Sequence, residues 1–171
     1  RQPGSSIKPI TYTTAFKQGF SPGSMLLDGP TTFKNAWESY SPVNYDGKYH
    51  GPVTIRTALG SSYNIPAVKM LATVGIPAML ETAKDMGITT FEDSSRFGLS
   101  LTLGGGEVRM IDMMSVYGTL ANGGVKKTPN PILKITDVNG QVLEDWQDKL
   151  SEKQVISPEV AYLISHILAD N

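Results

Sequence analysis

The sequence contains no cysteine, which excludes a disulfide framework and thiol catalysis. Histidine is nearly as scarce. The two that occur, His50 and His166, stand far apart without metal-ligand spacing, so neither a metal site nor a cofactor is expected. A Ser-His-Asp triad would have to use one of them. His50 reads instead as part of a polar loop (DGKYHGP) and His166 as a helix residue. No run of eighteen apolar residues is present, so no span crosses a membrane within this chain, and no signal peptide is visible. Neither sign of charge dominates: 15 Lys and Arg stand against 16 Asp and Glu. Nucleic acid and anionic membrane surfaces are therefore not implied as partners.

What is present suits one globular domain. The chain has 171 residues, 40% hydrophobic and 18% charged, enough to bury a core. Residues 19–52 are dense in Pro, Gly, Asn and Asp and read as long loops. VTIRTALG predicts a short helix over about 53–59. Pro66 suits the first turn of a second helix closed by Gly75, and Pro77 that of a third closed by Gly87. In the third, Met79, Leu80, Ala83 and Met86 make one apolar face. Residues 88–106 read as irregular. A longer helix is expected from about Glu107 to Ala121, with Val108, Ile111, Met114 and Leu120 turned to one side. PILKITDVNGQVLEDW alternates like a β-hairpin turning at Asn139-Gly140. Ser157-Pro158-Glu159 caps a last helix with Val160, Leu163, Ile164, Ile167 and Leu168 as its buried stripe. The fold class expected is mainly α with a small β-hairpin.

Two short motifs could carry chemistry. Ser5 and Lys8 lie three residues apart, which on a helical turn puts their side chains on one face. A lysine amine whose pKa is lowered can take the serine proton. Backbone N–H groups at a helix start would favour an oxyanion after attack on a carbonyl. Pro9 opposes helical geometry at Lys8 but is tolerated in a first turn. Ser6 is the weaker candidate, since Pro9 stands where its lysine would be. S-x-x-K alone is a pattern that chance supplies, and its plain reading is a capping serine with a surface lysine. The second motif is Ser62-Tyr63-Asn64, just before a helix; alone it reads as a cap and a turn. Together they fit the first pair of the set S-x-x-K, S-D-N, K-T-G, with Ser62 and Asn64 at the right positions and Tyr63 in the variable middle. Gly104-Gly105-Gly106 could suggest an anion cradle but lacks the Walker lysine, and reads better as a flexible turn. Tyr40, Tyr45 and Tyr49 could line a groove or pack over the helices.

RQPGSSIKPITY resembles the nucleophile segment of class A (bifunctional) penicillin-binding proteins. YSPVNYDGKYHGPVTIRTALGSSYNIPAVK resembles their second-motif segment, and LTLGGGEVRMIDMMSVYGTLANGG the glycine-rich turn and helix that follow. The likeness covers residues 1–171. It implies the helical part of the penicillin-binding-protein and serine β-lactamase-like transpeptidase fold, without the central sheet strands. It implies that Ser5 is acylated by the D-Ala-D-Ala end of a peptidoglycan stem peptide and that Lys8 takes its proton. Ser62 would relay a proton to the leaving D-alanine, and Asn64 would bind the substrate backbone and help place Lys8. β-Lactam antibiotics would acylate the same serine. The parent protein would work at the outer face of the bacterial cytoplasmic membrane, anchored there by other segments.

The sequence departs from that pattern in having no K-T-G. Lys126-Lys127-Thr128-Pro129 is the nearest string, with proline in place of glycine. The resemblance puts the third motif after a helix like that at 157–170, so a chain cut short of it, with little turnover of its own, is expected. Uncovered apolar faces would then favour self-association. Two rival readings stand beside this one: a related carboxypeptidase or β-lactamase-like hydrolase, and a non-catalytic module that binds peptidoglycan or a partner.

Overall fold

The computed structural model describes residues 1–34, 39–146 and 151–170. Its centre is helix α1, Lys8–Lys17, in which every residue from Lys8 to Phe16 is buried. A helix buried all round shows no amphipathic stripe, and KPITYTTAFK has none. Two of its four buried hydroxyls are paired: Thr14 Oγ1 donates to the Ile10 carbonyl at 2.9 Å, and Thr11 Oγ1 lies 2.8 Å from Thr102 Oγ1, while among the described residues Tyr12 OH and Thr13 Oγ1 have no partner. Packed around α1 are α2 (Ile55–Gly60), α3 (Asn64–Val74), α4 (Ile76–Met86) and α6 (Pro158–Leu168). Helix α5 (Met110–Ala121) lies against α4 and α6.

The helix boundaries follow local chemistry. Thr54 caps α2 by accepting from the Thr57 amide, and Ser157 caps α6 by accepting from the Val160 amide. Between α3 and α4 a single residue, Gly75 at φ +88°, turns the chain through 97°. Pro77 sits in the first turn of α4, where its missing N–H breaks no helical bond. Met79, Leu80, Ala83 and Met86 of α4 are buried, the face expected from their spacing. Among the described residues no single helix is long and apolar enough to cross a membrane.

The mainly α class holds, and four details within it differ from expectation. Residues 19–52 are not all loop. β1 (Met25–Asp28) pairs antiparallel with β4 (Gly51–Thr54), and β2 (Phe33–Lys34) with β3 (Ser39–Tyr40); residues 35–38 of that stretch lie outside the described residues. The β1–β4 pair draws both ends of the long loop together. The expected hairpin forms as β6 (Lys134–Thr136) and β7 (Val142–Asp145), and β5 (Val125–Lys127) pairs with β8 (Glu152–Gln154). The described residues therefore hold four two-stranded pairs, not one hairpin. Helix α5 starts at Met110 and buries Asp112, Val116, Thr119 and Leu120, while Ile111 and Met114 are exposed. Its buried face contains polar residues that apolar periodicity assigns to solvent. The stripe of α6 holds for Ile164 and Ile167, but Leu168 is exposed and Ala161 is buried.

Candidate active site

Ser5 lies on a 3-10 turn, Gly4–Ile7, that runs straight into α1. Gly4 enters it at φ +58°, a left-handed conformation that glycine takes without strain. Pro9 occupies the first turn of α1, so Lys8 stays helical at φ −53°, ψ −38° despite the proline after it. Ser5 is exposed, and among the described residues its hydroxyl has no hydrogen-bond partner. The neighbouring Ser6 hydroxyl is engaged with the Pro3 carbonyl at 2.7 Å.

Lys8 is fully buried. Its Nζ lies 2.6 Å from the Ser62 carbonyl oxygen, 2.7 Å from Asn64 Oδ1 and 3.1 Å from Ser62 Oγ. Burial lowers its pKa from 10.5 to about 8. Two short contacts to acceptors use two N–H bonds. The longer contact, to a hydroxyl that can donate or accept, suits both the ammonium and the neutral amine. Ser5 and Lys8 thus share one turn, while the hydrogen bonds of Lys8 run to Ser62 and Asn64.

The Ser62-Tyr63-Asn64 corner is held in an unusual backbone shape. Ser62 has φ +55°, the one non-glycine residue with positive φ among those described. Its amide donates to Leu59 at 3.0 Å and that of Tyr63 to Ala58 at 2.9 Å, a C-terminal closure of α2. The left-handed turn aims both oxygens of Ser62 at Lys8, at a cost of order 1–2 kcal/mol for an L-residue.

Behind the corner lies a network that the sequence did not single out. Asn44 is buried, and its Nδ2 donates to both oxygens of Asp28 (2.9 and 2.8 Å) and to the Lys48 carbonyl at 2.8 Å. Its Oδ1 accepts from the amides of Asn64 at 2.8 Å and Ile65 at 3.2 Å, which open α3. Asn64 Nδ2 donates to the Val43 carbonyl at 2.9 Å. Asp28 also accepts from the His50 amide at 3.0 Å and meets His50 Nδ1. The His50 ring stacks on Tyr63 at 4.0 Å and 11°, and its Nε2 faces Asp46 at 3.1 Å. His50 is therefore a structural member of this corner, not a free loop residue. Burial, with the Asp28 charge adding to it, pushes the Tyr12 phenol up. Asn44 stands in a stretch rich in Pro, Asn and Asp, and nothing local marks it apart from a turn residue.

The glycine triplet forms a closely packed turn. A Cβ on Gly104, at φ +93°, would sit 2.3 Å from Gly4 N and 2.5 Å from Gly4 Cα. One on Gly106 would sit 2.8 Å from Phe91 Cε1. Glycine here lets two backbones meet, so the turn braces the segment that carries Ser5. Arg1 and Val108 exchange N–H···O bonds at 2.9 and 3.0 Å, and the Tyr117 hydroxyl of α5 donates to the Ser6 carbonyl at 3.0 Å. At the start of α5, burial raises the Asp112 pKa. The Thr89 amide and hydroxyl and the Arg109 guanidinium outweigh that and hold it below the usual carboxylate range.

The remaining candidates lie elsewhere. Lys126, Lys127 and Thr128 line a cavity of about 890 Å³ together with α4 and α5, and none of Ser5, Lys8 and Ser62 borders it. Tyr45 and Tyr49 are exposed, and Tyr40 is half-buried on β3.

Residues 1–171 match the family model described as the penicillin binding protein transpeptidase domain. Penicillin-binding protein 2D of Bacillus subtilis is 38% identical over 98% of this chain and 24% of its own length. Penicillin-binding protein 1A of Neisseria flavescens is 31% identical over 99% of this chain and 22% of its own. The chain thus spans about a quarter of the curated relatives it matches. Penicillin-binding protein 1A from Haemophilus influenzae superposes with a TM-score of 0.86 at 27% identity, over 96% of this chain and 29% of that one. PonA1 from Mycobacterium tuberculosis, solved in complex with penicillin V, superposes at 0.85 with 27% identity, over 98% and 46%. Residues 1–171, with Lys8 buried against a Ser-Tyr-Asn corner, belong to the penicillin-binding-protein transpeptidase domain family.

Proposed function

We propose that residues 1–171 are part of a D,D-transpeptidase domain that cross-links peptidoglycan at the outer face of the bacterial cytoplasmic membrane, and that β-lactams acylate it at Ser5. One observation carries this reading. A lysine one turn from Ser5 is buried, has its pKa lowered to about 8, and is gripped by Ser62 and Asn64. A surface lysine beside a capping serine would have none of these properties.

The chemistry is acyl transfer. Ser5 Oγ attacks the carbonyl carbon of the penultimate D-alanine while its proton passes to the neutral Lys8 amine. The C–N bond to the terminal D-alanine breaks, and the leaving nitrogen receives a proton through the Ser62 hydroxyl. An acceptor amine then attacks the Ser5 ester, gives up a proton, and returns Ser5 to its hydroxyl form. Because Lys8 keeps two short hydrogen bonds to fixed acceptors, its amine is held in place through these transfers.

The sequence has no K-T-G strand. In this reading that strand supplies substrate binding and an oxyanion donor, whose loss alone costs about 10²–10³ in rate. The isolated chain is therefore expected to turn over poorly. The test supplies the longer protein that carries this chain with a stem pentapeptide ending in D-Ala-D-Ala, with and without an amine acceptor. Release of D-alanine with formation of the cross-linked amide, lost on Ser5→Ala, is the expected result. Release of D-alanine to water alone would favour a carboxypeptidase. Peptide binding with neither product nor adduct would favour a non-catalytic module.

A further inference from the structure

The buried carboxylate of Asp28 does no chemistry in the scheme above, yet its hydrogen bonds lead to Lys8 in three steps. A carboxylate accepts and does not donate. It therefore fixes which way the Asn44 amide points: Nδ2 toward Asp28 and the Lys48 carbonyl, Oδ1 toward the amides of Asn64 and Ile65. The reversed amide would set an NH₂ against two N–H donors and an oxygen against three acceptors. Asn44 thereby anchors the first turn of α3, which carries Asn64. The Asn64 amide is oriented in its turn by the Val43 carbonyl, the residue next to Asn44, and so presents Oδ1 to Lys8. β1 supplies Asp28, the long loop supplies Asn44, and α3 supplies Asn64.

We propose that Asp28 and Asn44 are positioning residues for the Ser5–Lys8 reaction, acting by fixing the donor and acceptor pattern that Asn64 offers to Lys8. The inference rests on the acyl-transfer reading given above. Burial is what gives the arrangement its leverage. Asp28 is fully buried and Asn44 nearly so, and a mispointed amide there leaves polar atoms unpaired where water cannot repair them. His50 closes the far side of Asp28, and the titratable groups facing its ring are Asp28, Asp46 and Tyr63. Tyr12 is the further titratable group that feels Asp28. Asp28 and Asn44 touch no reacting atom. Their removal should displace Lys8 and Asn64 and slow acylation without abolishing β-lactam recognition.

The test measures acylation by a fluorescent penicillin against pH, in the longer protein that carries the chain, for the parent, Asp28→Asn, Asn44→Ala and the exchanged pair Asp28→Asn/Asn44→Asp. The parent must first label at Ser5; a parent that labels elsewhere removes the acyl-transfer reading itself and leaves this inference without a subject. With labelling in place, each single variant should lose about 10²-fold in the acylation rate constant. The reversible binding step should change little, and the pH midpoint of acylation should move. The exchanged pair restores an amide donating to a carboxylate that faces the α3 amides, and should recover part of the rate. Folded single variants that acylate at the parent rate with an unmoved pH profile would overturn the inference. So would an exchanged pair that folds but recovers nothing. A measurement on the unaltered protein covers variants that fail to fold. The side-chain amide resonances of Asn44 should titrate with the same midpoint as Lys8, and resonances that ignore the Lys8 titration would overturn the coupling.

Discussion

Lys8 Nζ lies 2.7 Å from Asn64 Oδ1 although 56 positions separate them in sequence. The contact joins the turn that carries Ser5 to the Ser-Tyr-Asn corner, and the proposed chemistry depends on it. A free lysine near 10.5 is neutral in about one molecule in 3,000 at pH 7; at about 8 the share is about one in ten.

Acylation should therefore rise with pH and level off. In the proposed mechanism the neutral amine is the active form, so the rate should climb through a midpoint near 8 and plateau above it. Stopped-flow or gel-based penicillin labelling between pH 6 and 10 checks this. A rate that is flat across the range, or that falls on passing through pH 8, would contradict the role given to Lys8.

The same shift appears in stability. Lys8 has a folded pKa of about 8 against 10.5 unfolded, so between those values the unfolded chain binds more protons. Stability should increase with pH across that window, and the full cost of burying the charge should be present below about 8. Urea unfolding at pH 7 and pH 9.5 should show the gain. Lys8→Met should flatten it while strongly reducing acylation.

Ser62 separates backbone strain from side-chain chemistry. Ser62→Gly removes the penalty of φ +55°, whereas Ser62→Ala keeps it. The glycine variant should be the more stable of the two by about 1 kcal/mol. Both lose the hydroxyl, so both should be impaired in transfer to an amine. Thermal melts and cross-linking assays on the pair test this.

Gly104→Ala should disturb the nucleophile from outside the site. Its Cβ would overlap Gly4 backbone atoms at 2.3 and 2.5 Å, with no flexible side chain to yield. The backbone at φ +93° is strained for alanine as well. A loss of more than about 1 kcal/mol is expected, with slower acylation at temperatures where the protein remains folded. Alanine at Gly118, whose Cβ position is open, is the control.

The parts of this arrangement legible in the sequence are those set by short spacing. S-x-x-K on one turn, S-x-N before a helix, and the prolines and glycines bounding α3 and α4 all act within a few residues. Asn44 is not legible because its distant partners Asp28 and Asn64 come together only in the folded chain, where β1 pairs with β4. The face of α5 was misread for a related reason. Asp112 goes inside because Thr89 and Arg109, from beyond the helix, satisfy it, while Ile111 and Met114 stay outside. Periodicity counts apolar residues and cannot see such a partner. The triple glycine shows the limit most plainly, since only the approach of Gly4 distinguishes a packed turn from a loose one.

The most direct test is peptide mapping by mass spectrometry after β-lactam treatment of the longer protein that carries this chain. The account predicts one equivalent of drug on the peptide containing Ser5, absent in Ser5→Ala and strongly reduced in Lys8→Met. A stoichiometric adduct that survives Ser5→Ala, or that maps to any other residue, would contradict it.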